Sequence, residues 1–147
     1  MKKIILFFTA FMLVSAFTMP LFAAFISTTT ENNDVIVTDT ATGLIWQKTY
    51  VSGKTWQQAL DYCENLTYAG YDDWRLPNKN ELASLVSYAK HGPASGFPGM
   101  PTQYFWSSST YVYDTNLAWR VDFNGGSVGG SSSKSNTHYV RCVRNAD

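Results

Sequence analysis

The chain reads FWSSSTYVYDTNLAWRVDFNGGSVGG at residues 105–130, and YVRCVR at residues 139–144 closes the same segment. Both ends are apolar and typical of strands, yet 18 of the 32 residues from Ser107 to His138 are Ser, Thr, Asn or Gly. Tyrosines among small polar residues suit recognition, because Tyr supplies rigid contact area and its neighbours supply adaptable hydrogen bonds. The segment therefore predicts a ligand-binding surface. The alternative is a set of Ser/Gly-rich hairpins without a ligand.

Alternating residues within this segment predict a strand with two different faces. Trp119, Val121 and Phe123 alternate with Arg120 and Asp122. Successive side chains of a strand point to opposite faces, so the three apolar residues are expected in the core and Arg120 in solvent.

A hairpin turn and a closing strand are expected further along the chain. Asn124 and Gly125 both tolerate positive φ, which favours a two-residue turn. Val140 and Cys142 lie on one face of the closing strand, so the Cys142 sulfur is expected to point inward.

Two capping boxes predict helices before these strands. Thr55 with Gln58 and Asn78 with Glu81 each satisfy free backbone N–H groups at a helix start. Apolar residues at helical spacing mark the buried faces: Trp56, Ala59, Leu60, Cys63 and Leu66, then Leu82, Leu85, Val86 and Ala89. A strand region, two helices and further strands predict an α+β fold, with two helices packed on a short, mostly antiparallel sheet.

Residues 1–24 are predicted to be a secretory signal peptide. Two lysines precede an apolar run from Ile4 to Phe17, and small residues follow it. A membrane anchor is the alternative, but Pro20 interrupts the apolar span and no basic cluster follows it. We therefore expect export to the periplasm, the cell surface or the medium, with no membrane span after cleavage.

The remaining chain is long enough for one domain with one core. Residues 25–33 are expected to form a linker and residues 34–147 the domain. Without Lys2 and Lys3, nine basic residues stand against eleven acidic ones. Nucleic acid is therefore not expected as a partner, because strong binding needs surplus cations to neutralise phosphates.

Cys63 and Cys142 are the two cysteines of the chain. In an oxidising compartment such a pair predicts a disulfide, which would close a loop of about 80 residues and stabilise the fold by roughly 4 kcal/mol. The alternatives are two free thiols or a metal site. No metal or other cofactor is expected, because a metal site would need further ligands and the chain has only His91 and His138 as histidines.

Five fragments follow one another in a family-specific order. They are DTATGLIWQK (39–48), the helix from Trp56 to Cys63, DDWRLPNKNEL (72–82), FWSSS (105–109) and YVRCVR (139–144). Over about residues 34–145 the chain thereby resembles the Lcl C-terminal domain family. The resemblance implies a fold similar to C-type lectin-like domains and formylglycine-generating enzymes, with C-terminal strands and loops facing a ligand.

The resemblance does not identify the ligand of this chain. The collagen-like adhesin that names the family binds sulfated glycosaminoglycans through basic residues, whereas this chain has no collagen repeats and a slightly acidic charge. Most matched residues have structural interpretations. Trp46, Trp56 and Trp106 are expected in the core, and Arg75 is expected to pair with a neighbouring carboxylate or carbonyl.

Three other functions are weighed against non-catalytic binding. A formylglycine-generating enzyme needs redox-active cysteines close together, whereas Cys63 and Cys142 have structural positions. A calcium-dependent lectin needs a cluster of oxygen ligands. Candidate ligands lie close together in the sequence at Asp114, Asn116, Asp122 and Asn124, but the usual sugar-binding tripeptides of such lectins are absent. The third alternative is a protein whose ligand-binding segment is diversified by a retroelement. The residue types at positions 110–138 are those that such diversification produces. We expect a non-catalytic module for adhesin-like recognition of a glycan or a cell-surface protein.

The expected binding residues lie on the exposed faces and turns of the C-terminal strands. They are Tyr111, Tyr113, Asp114, Asn116, Arg120, Asn124, Ser127 and Ser131. The sequence thus predicts a binding surface that contains tyrosine, arginine and small polar side chains.

Overall fold

A computed structural model describes residues 24–146 of the 147-residue chain. Its helices and strands follow in the order β1 (Phe25–Thr29), β2 (Val35–Asp39), β3 (Leu44–Gln47), β4 (Val51–Lys54), α1 (Trp56–Glu64), α2 (Lys79–Ala83), β5 (Tyr104–Thr110), β6 (Leu117–Asp122), β7 (Ser127–Ser133), β8 (His138–Val140) and β9 (Val143–Asn145). The predicted signal peptide lies outside the described residues, except for Ala24. No helix in the described range has the length and apolar character needed to cross a membrane.

The strands form two sheets. The smaller has the order β1-β2-β3-β9 and is antiparallel throughout. The larger has the order β4-β8-β5-β6-β7, in which β8 pairs with β5 in parallel and the other pairs are antiparallel. The larger sheet carries most of the segment expected to bind a ligand.

The predicted α+β class, with C-type lectin-like packing of two helices on a short sheet, is wrong. Nine strands in two sheets make the described chain mostly β, and only 11% of it is helical. The capping boxes at Thr55 and Asn78 are both present, but they start short helices. In α2 the apolar spacing up to Ala89 does not continue the helix, because Val86 pairs with Ser95 as a β-bridge.

Strand β7 is the clearest addition to the predicted strands. Its sequence, SVGGSSS, has low strand propensity, yet it pairs with β6 from Leu117↔Ser133 to Asp122↔Ser127. Pairing with a neighbour overrides local propensity here, as it commonly does in sheets. The preceding turn also differs from prediction: it spans residues 123–126, and Gly126 rather than Gly125 has a positive φ of 78°.

The two helices pack on opposite faces of the larger sheet. Ala59 and Cys63 of α1 join a buried cluster with Trp106 of β5 and Ala118 of β6. Leu82 of α2 joins a second cluster, which contains Phe105 of β5, Val121 of β6 and Phe123 directly after β6. Because neighbouring residues of a strand point to opposite faces, these memberships place the helices on either side.

The predicted disulfide between Cys63 and Cys142 is confirmed. The two Cα atoms lie 5.5 Å apart, the sulfur atoms are bonded at 2.07 Å, and both residues are fully buried. The bond links α1 to the segment between β8 and β9. A disulfide of this kind indicates an oxidising compartment.

The expected linker at residues 25–33 contains a strand. Phe25–Thr29 pairs with β2 over five consecutive residues, from Phe25↔Asp39 to Thr29↔Val35. The Phe25 ring also makes an edge contact with Phe97, with the ring centres 5.4 Å apart. Backbone pairing and an aromatic contact therefore make the first five residues of the expected linker part of the smaller sheet.

Candidate functional site

The predicted binding surface is divided by the larger sheet. Trp119 and Arg120 are neighbours in β6 and pair with Ser131 and Gly130 of β7 in an unbroken register. Their side chains therefore point to opposite faces. Ser131 shares the face of Trp119, so the structure places Ser131 and Arg120, two of the expected site residues, on different sides of the sheet.

The face of Trp119 carries an aromatic cluster, defined here as Tyr111, Tyr113, Trp119 and Lys79. The ring centres of Tyr111 and Trp119 are 5.0 Å apart, and those of Tyr111 and Tyr113 are 5.6 Å apart, both edge to face. The Lys79 Nζ lies 3.5 Å from the Trp119 ring centre. Tyr113 is 86% exposed and forms the outer end of the cluster.

The turn between β5 and β6 fixes the outer tyrosines. The Asp114 Oδ1 accepts a hydrogen bond from the Asn116 backbone N at 2.9 Å, and the Asp114 carbonyl accepts one from the Leu117 N at 3.0 Å. The Tyr111 N donates to the Leu117 carbonyl at 2.9 Å. Asp114 and Asn116 thus shape the turn, and both stay exposed beside Tyr113.

Asn124 and Ser127 lie at the other end of β6. The Asn124 N donates to the Asp122 Oδ1 at 2.9 Å, which closes the turn before β7. A strand rises about 3.3 Å per residue, so the length of β6 separates this turn from Asp114 and Asn116. The structure therefore does not bring together the four side chains considered as calcium ligands, Asp114, Asn116, Asp122 and Asn124.

The opposite face of the sheet carries Arg120 in a different setting. Its Cζ lies 3.8 Å from the ring centre of Tyr104. The rings of Trp106 and His138 lie on the same face, with their centres 4.4 Å apart. The His138 Nε2 and the Ser132 Oγ are within hydrogen-bonding distance at 3.0 Å. Burial, and secondarily the charge of Arg120, lower the pKa of His138 from 6.5 to about 4.

Comparison with known families supports the family that the order of the five sequence fragments indicated. The family model of the Lcl C-terminal domain matches residues 35–144, which is most of the sequence. The chain belongs to the Lcl C-terminal domain family. No curated protein matches the sequence.

The family match covers nearly all the helices and strands of this Lcl C-terminal domain. It begins at the first residue of β2 and ends inside β9, so it includes both faces of the larger sheet and excludes β1. All eight expected binding residues lie inside it. Arg75 also lies inside it and has the structural role expected, because its guanidinium pairs with Glu81 at 2.7 and 2.8 Å.

Three residues on the two faces of this Lcl C-terminal domain were not predicted from the sequence as site residues. Lys79 reaches Trp119 only because α2 packs on the sheet, and Tyr104 reaches Arg120 only through the pairing of β5 with β6. His138 joins the same face through the parallel pairing of β8 with β5. The alternation pattern also misplaced Trp119, which is partly exposed instead of buried.

The helices α1 and α2 each leave part of their face uncovered, since Tyr113 is 86% exposed on one face and Tyr104 is 40% exposed on the other. Within residues 24–146 there is no pocket, and no group of three or more His, Cys, Asp or Glu residues is placed to hold a metal ion. An open surface with exposed rings suits a partner that is itself extended or flat. Trp56, expected in the core, lies partly exposed at a third position, with the Lys134 Nζ 3.8 Å from its ring centre.

Proposed function

We propose that this chain is an exported, non-catalytic binding module that recognises a glycan on a cell surface, in the manner of an adhesin. The observation that carries the proposal is the aromatic cluster, in which the almost fully exposed Tyr113 packs on Tyr111 and Tyr111 packs on Trp119. Tyr113 is also surrounded by small polar residues, and this combination of a rigid ring with adaptable hydrogen-bonding groups suits recognition.

The chemistry of the cluster matches that of a sugar. A pyranose ring presents C–H groups on its faces, which pack against an aromatic ring, and hydroxyl groups at its edges, which need hydrogen-bond partners. Tyr113 provides the ring. Asp114 and Asn116, held by the β5–β6 turn, provide an acceptor and an amide beside it.

The arrangement inside the cluster lowers the entropic cost of binding. Tyr111 is fixed between Trp119 and Tyr113, and Trp119 is held in turn by Lys79. A surface whose rings are already ordered loses fewer rotamers when a ligand arrives. Pre-ordering of this kind favours a binding module over a passive, soluble hairpin.

A hydrolytic function is less well supported, although Ser132 and His138 form a serine–histidine pair. A histidine with a pKa of about 4 is a weak general base. The Ser132 Oγ also accepts a hydrogen bond from the Asn136 Nδ2 at 3.0 Å, which engages one of its lone pairs. No pocket within the described residues surrounds the pair.

A glycan array with the purified protein tests the proposal. We expect binding to a subset of glycans, and loss of that binding in Tyr113→Ala. Tyr88→Ala is the matched control, because Tyr88 is also an exposed tyrosine, 71% accessible, but lies beside the turn at Gly126, where an added Cβ would be 3.6 Å from its Cδ1. Binding that survives Tyr113→Ala on every glycan would place the site elsewhere.

A further inference from the structure

The Arg120 guanidinium lies beside the Tyr104 ring on the face of the sheet opposite the aromatic cluster. The Tyr104 ring lies on one side of it, 3.8 Å from Cζ. Gly130 faces it from the neighbouring strand, where an added Cβ would lie 3.5 Å from the same atom. The guanidinium therefore lies between the Tyr104 ring of β5 and the backbone of β7 at Gly130, at ordinary van der Waals distance.

Arg120 is in no ion pair within the described residues, and its buried Nε has no hydrogen-bond partner there. Arg75 pairs with Glu81 and Arg144 with Asp73, but Arg120 forms no ion pair or hydrogen bond with a residue of the 24–146 range. Asp122 lies on the same face of β6 but accepts a hydrogen bond from the Asn124 backbone instead.

The charges around Arg120 suit one negative charge better than two. His138 is uncharged at neutral pH, since its pKa is about 4, and it adds no second cation. Asp122 on the same face disfavours a dianion. A guanidinium presents paired N–H donors in one plane, which matches the two oxygens of a planar carboxylate.

We propose that Arg120, stacked on Tyr104 and faced by Gly130, forms a subsite that binds a single carboxylate group. The carboxylate belongs to an acidic sugar or to a peptide, which offer the same chemistry. This subsite lies across the sheet from the aromatic cluster, so it is a second site and does not depend on glycan binding there. Stacking on Tyr104 restricts the guanidinium before the ligand arrives, which reduces the entropy lost on binding.

NMR titration of the purified protein with sodium acetate tests the subsite directly. We expect a saturable shift of the Arg120 Nε–Hε signal and of the neighbouring His138 ring signals, which sodium chloride at equal ionic strength does not produce. Arg120→Lys keeps the charge but loses the planar pair of donors, so acetate affinity should fall about tenfold or more. Lys90→Gln, which removes one exposed positive charge elsewhere, should bind acetate as wild type does.

Two outcomes of this titration would overturn the subsite. One is an Arg120→Lys variant that folds and binds acetate as wild type. The other is sulfate competing as well as acetate, which would indicate attraction of any anion. If Arg120→Lys does not fold, Tyr104→Ala replaces it, because Tyr104 is 40% exposed and its loss should weaken acetate binding several-fold. Unchanged binding in Tyr104→Ala would contradict the proposal equally.

Paired ligands then identify the source of the carboxylate. Methyl glucuronide is compared with methyl glucoside, and a short peptide acid with its C-terminal amide. Binding of either acid, lost in its uncharged partner and in Arg120→Lys, supports the subsite and names its source. Equal binding of an acid and its uncharged partner contradicts it. Tyr113→Ala should leave all four results unchanged, so the two sites succeed or fail separately.

Discussion

The Lys79 Nζ lies 3.5 Å from the centre of the Trp119 ring and so joins the start of α2 to the middle of β6. A lysine over a tryptophan face is attracted by the negative charge density of the ring. The contact links a helix to a strand about 40 positions away in the chain. It also leaves Tyr113 as the most exposed ring of the aromatic cluster.

The first prediction concerns this contact. Lys79→Ala should lower the free energy of unfolding by about 0.5–1 kcal/mol, the range for a partly exposed cation–π pair. Urea denaturation of the variant, compared with Lys90→Ala, measures the effect. A Lys79→Ala variant no less stable than Lys90→Ala would mean that the contact contributes nothing to stability.

The second prediction concerns the disulfide between Cys63 and Cys142. Its 79-residue separation gives a stabilisation of about 4 kcal/mol on the chain-entropy model. Cys63→Ala should therefore lower the melting temperature by about 10 °C or more in calorimetry. The double variant with Cys142→Ala should lose scarcely more than either single variant, because both remove one bond. Additive losses would contradict a shared bond.

The third prediction concerns pH. The folded-state pKa of His138 is lowered to about 4 from an ordinary 6.5, so the unfolded chain binds the extra proton between these values. Proton binding by His138 in the unfolded chain therefore costs no stability above about pH 6.5. It lowers the free energy of unfolding progressively as the pH falls from 6.5 toward 4. Denaturation series across this range should show a shallower decline in His138→Gln. A His138 ring that titrates near 6.5 by NMR would show that the side chain is more hydrated than the structure has it.

Local signals in the sequence were reliable where they depend on neighbours in the chain. The capping boxes at Thr55 and Asn78 start helices, and Cys63, placed on the apolar face of α1, meets Cys142. Capping depends on residues three positions apart, which the sequence shows directly. The extent of α2 was overestimated because its end is set by the long-range bridge between Val86 and Ser95.

The candidate site was predicted only in part, for the same reason. Tyr111, Tyr113 and the turn at Asp114 were expected together and do lie together. Arg120 was assigned to the same surface, but strand alternation places it on the other face. Its partner Tyr104 and the Trp119 partner Lys79 come from other elements, so their contacts depend on how strands pair and how α2 docks.

The affinity of the proposed glycan-binding surface should depend on Tyr113, supported by the rings of Tyr111 and Trp119. Isothermal titration of the best ligand from the array into wild type, Tyr113→Ala and Tyr88→Ala measures it most directly. We predict that Tyr113→Ala weakens binding at least about tenfold, or about 1.4 kcal/mol, as expected for an aromatic residue that dominates an interface. Tyr88→Ala should bind as wild type. Equal affinities for wild type and a folded Tyr113→Ala variant would contradict the claim.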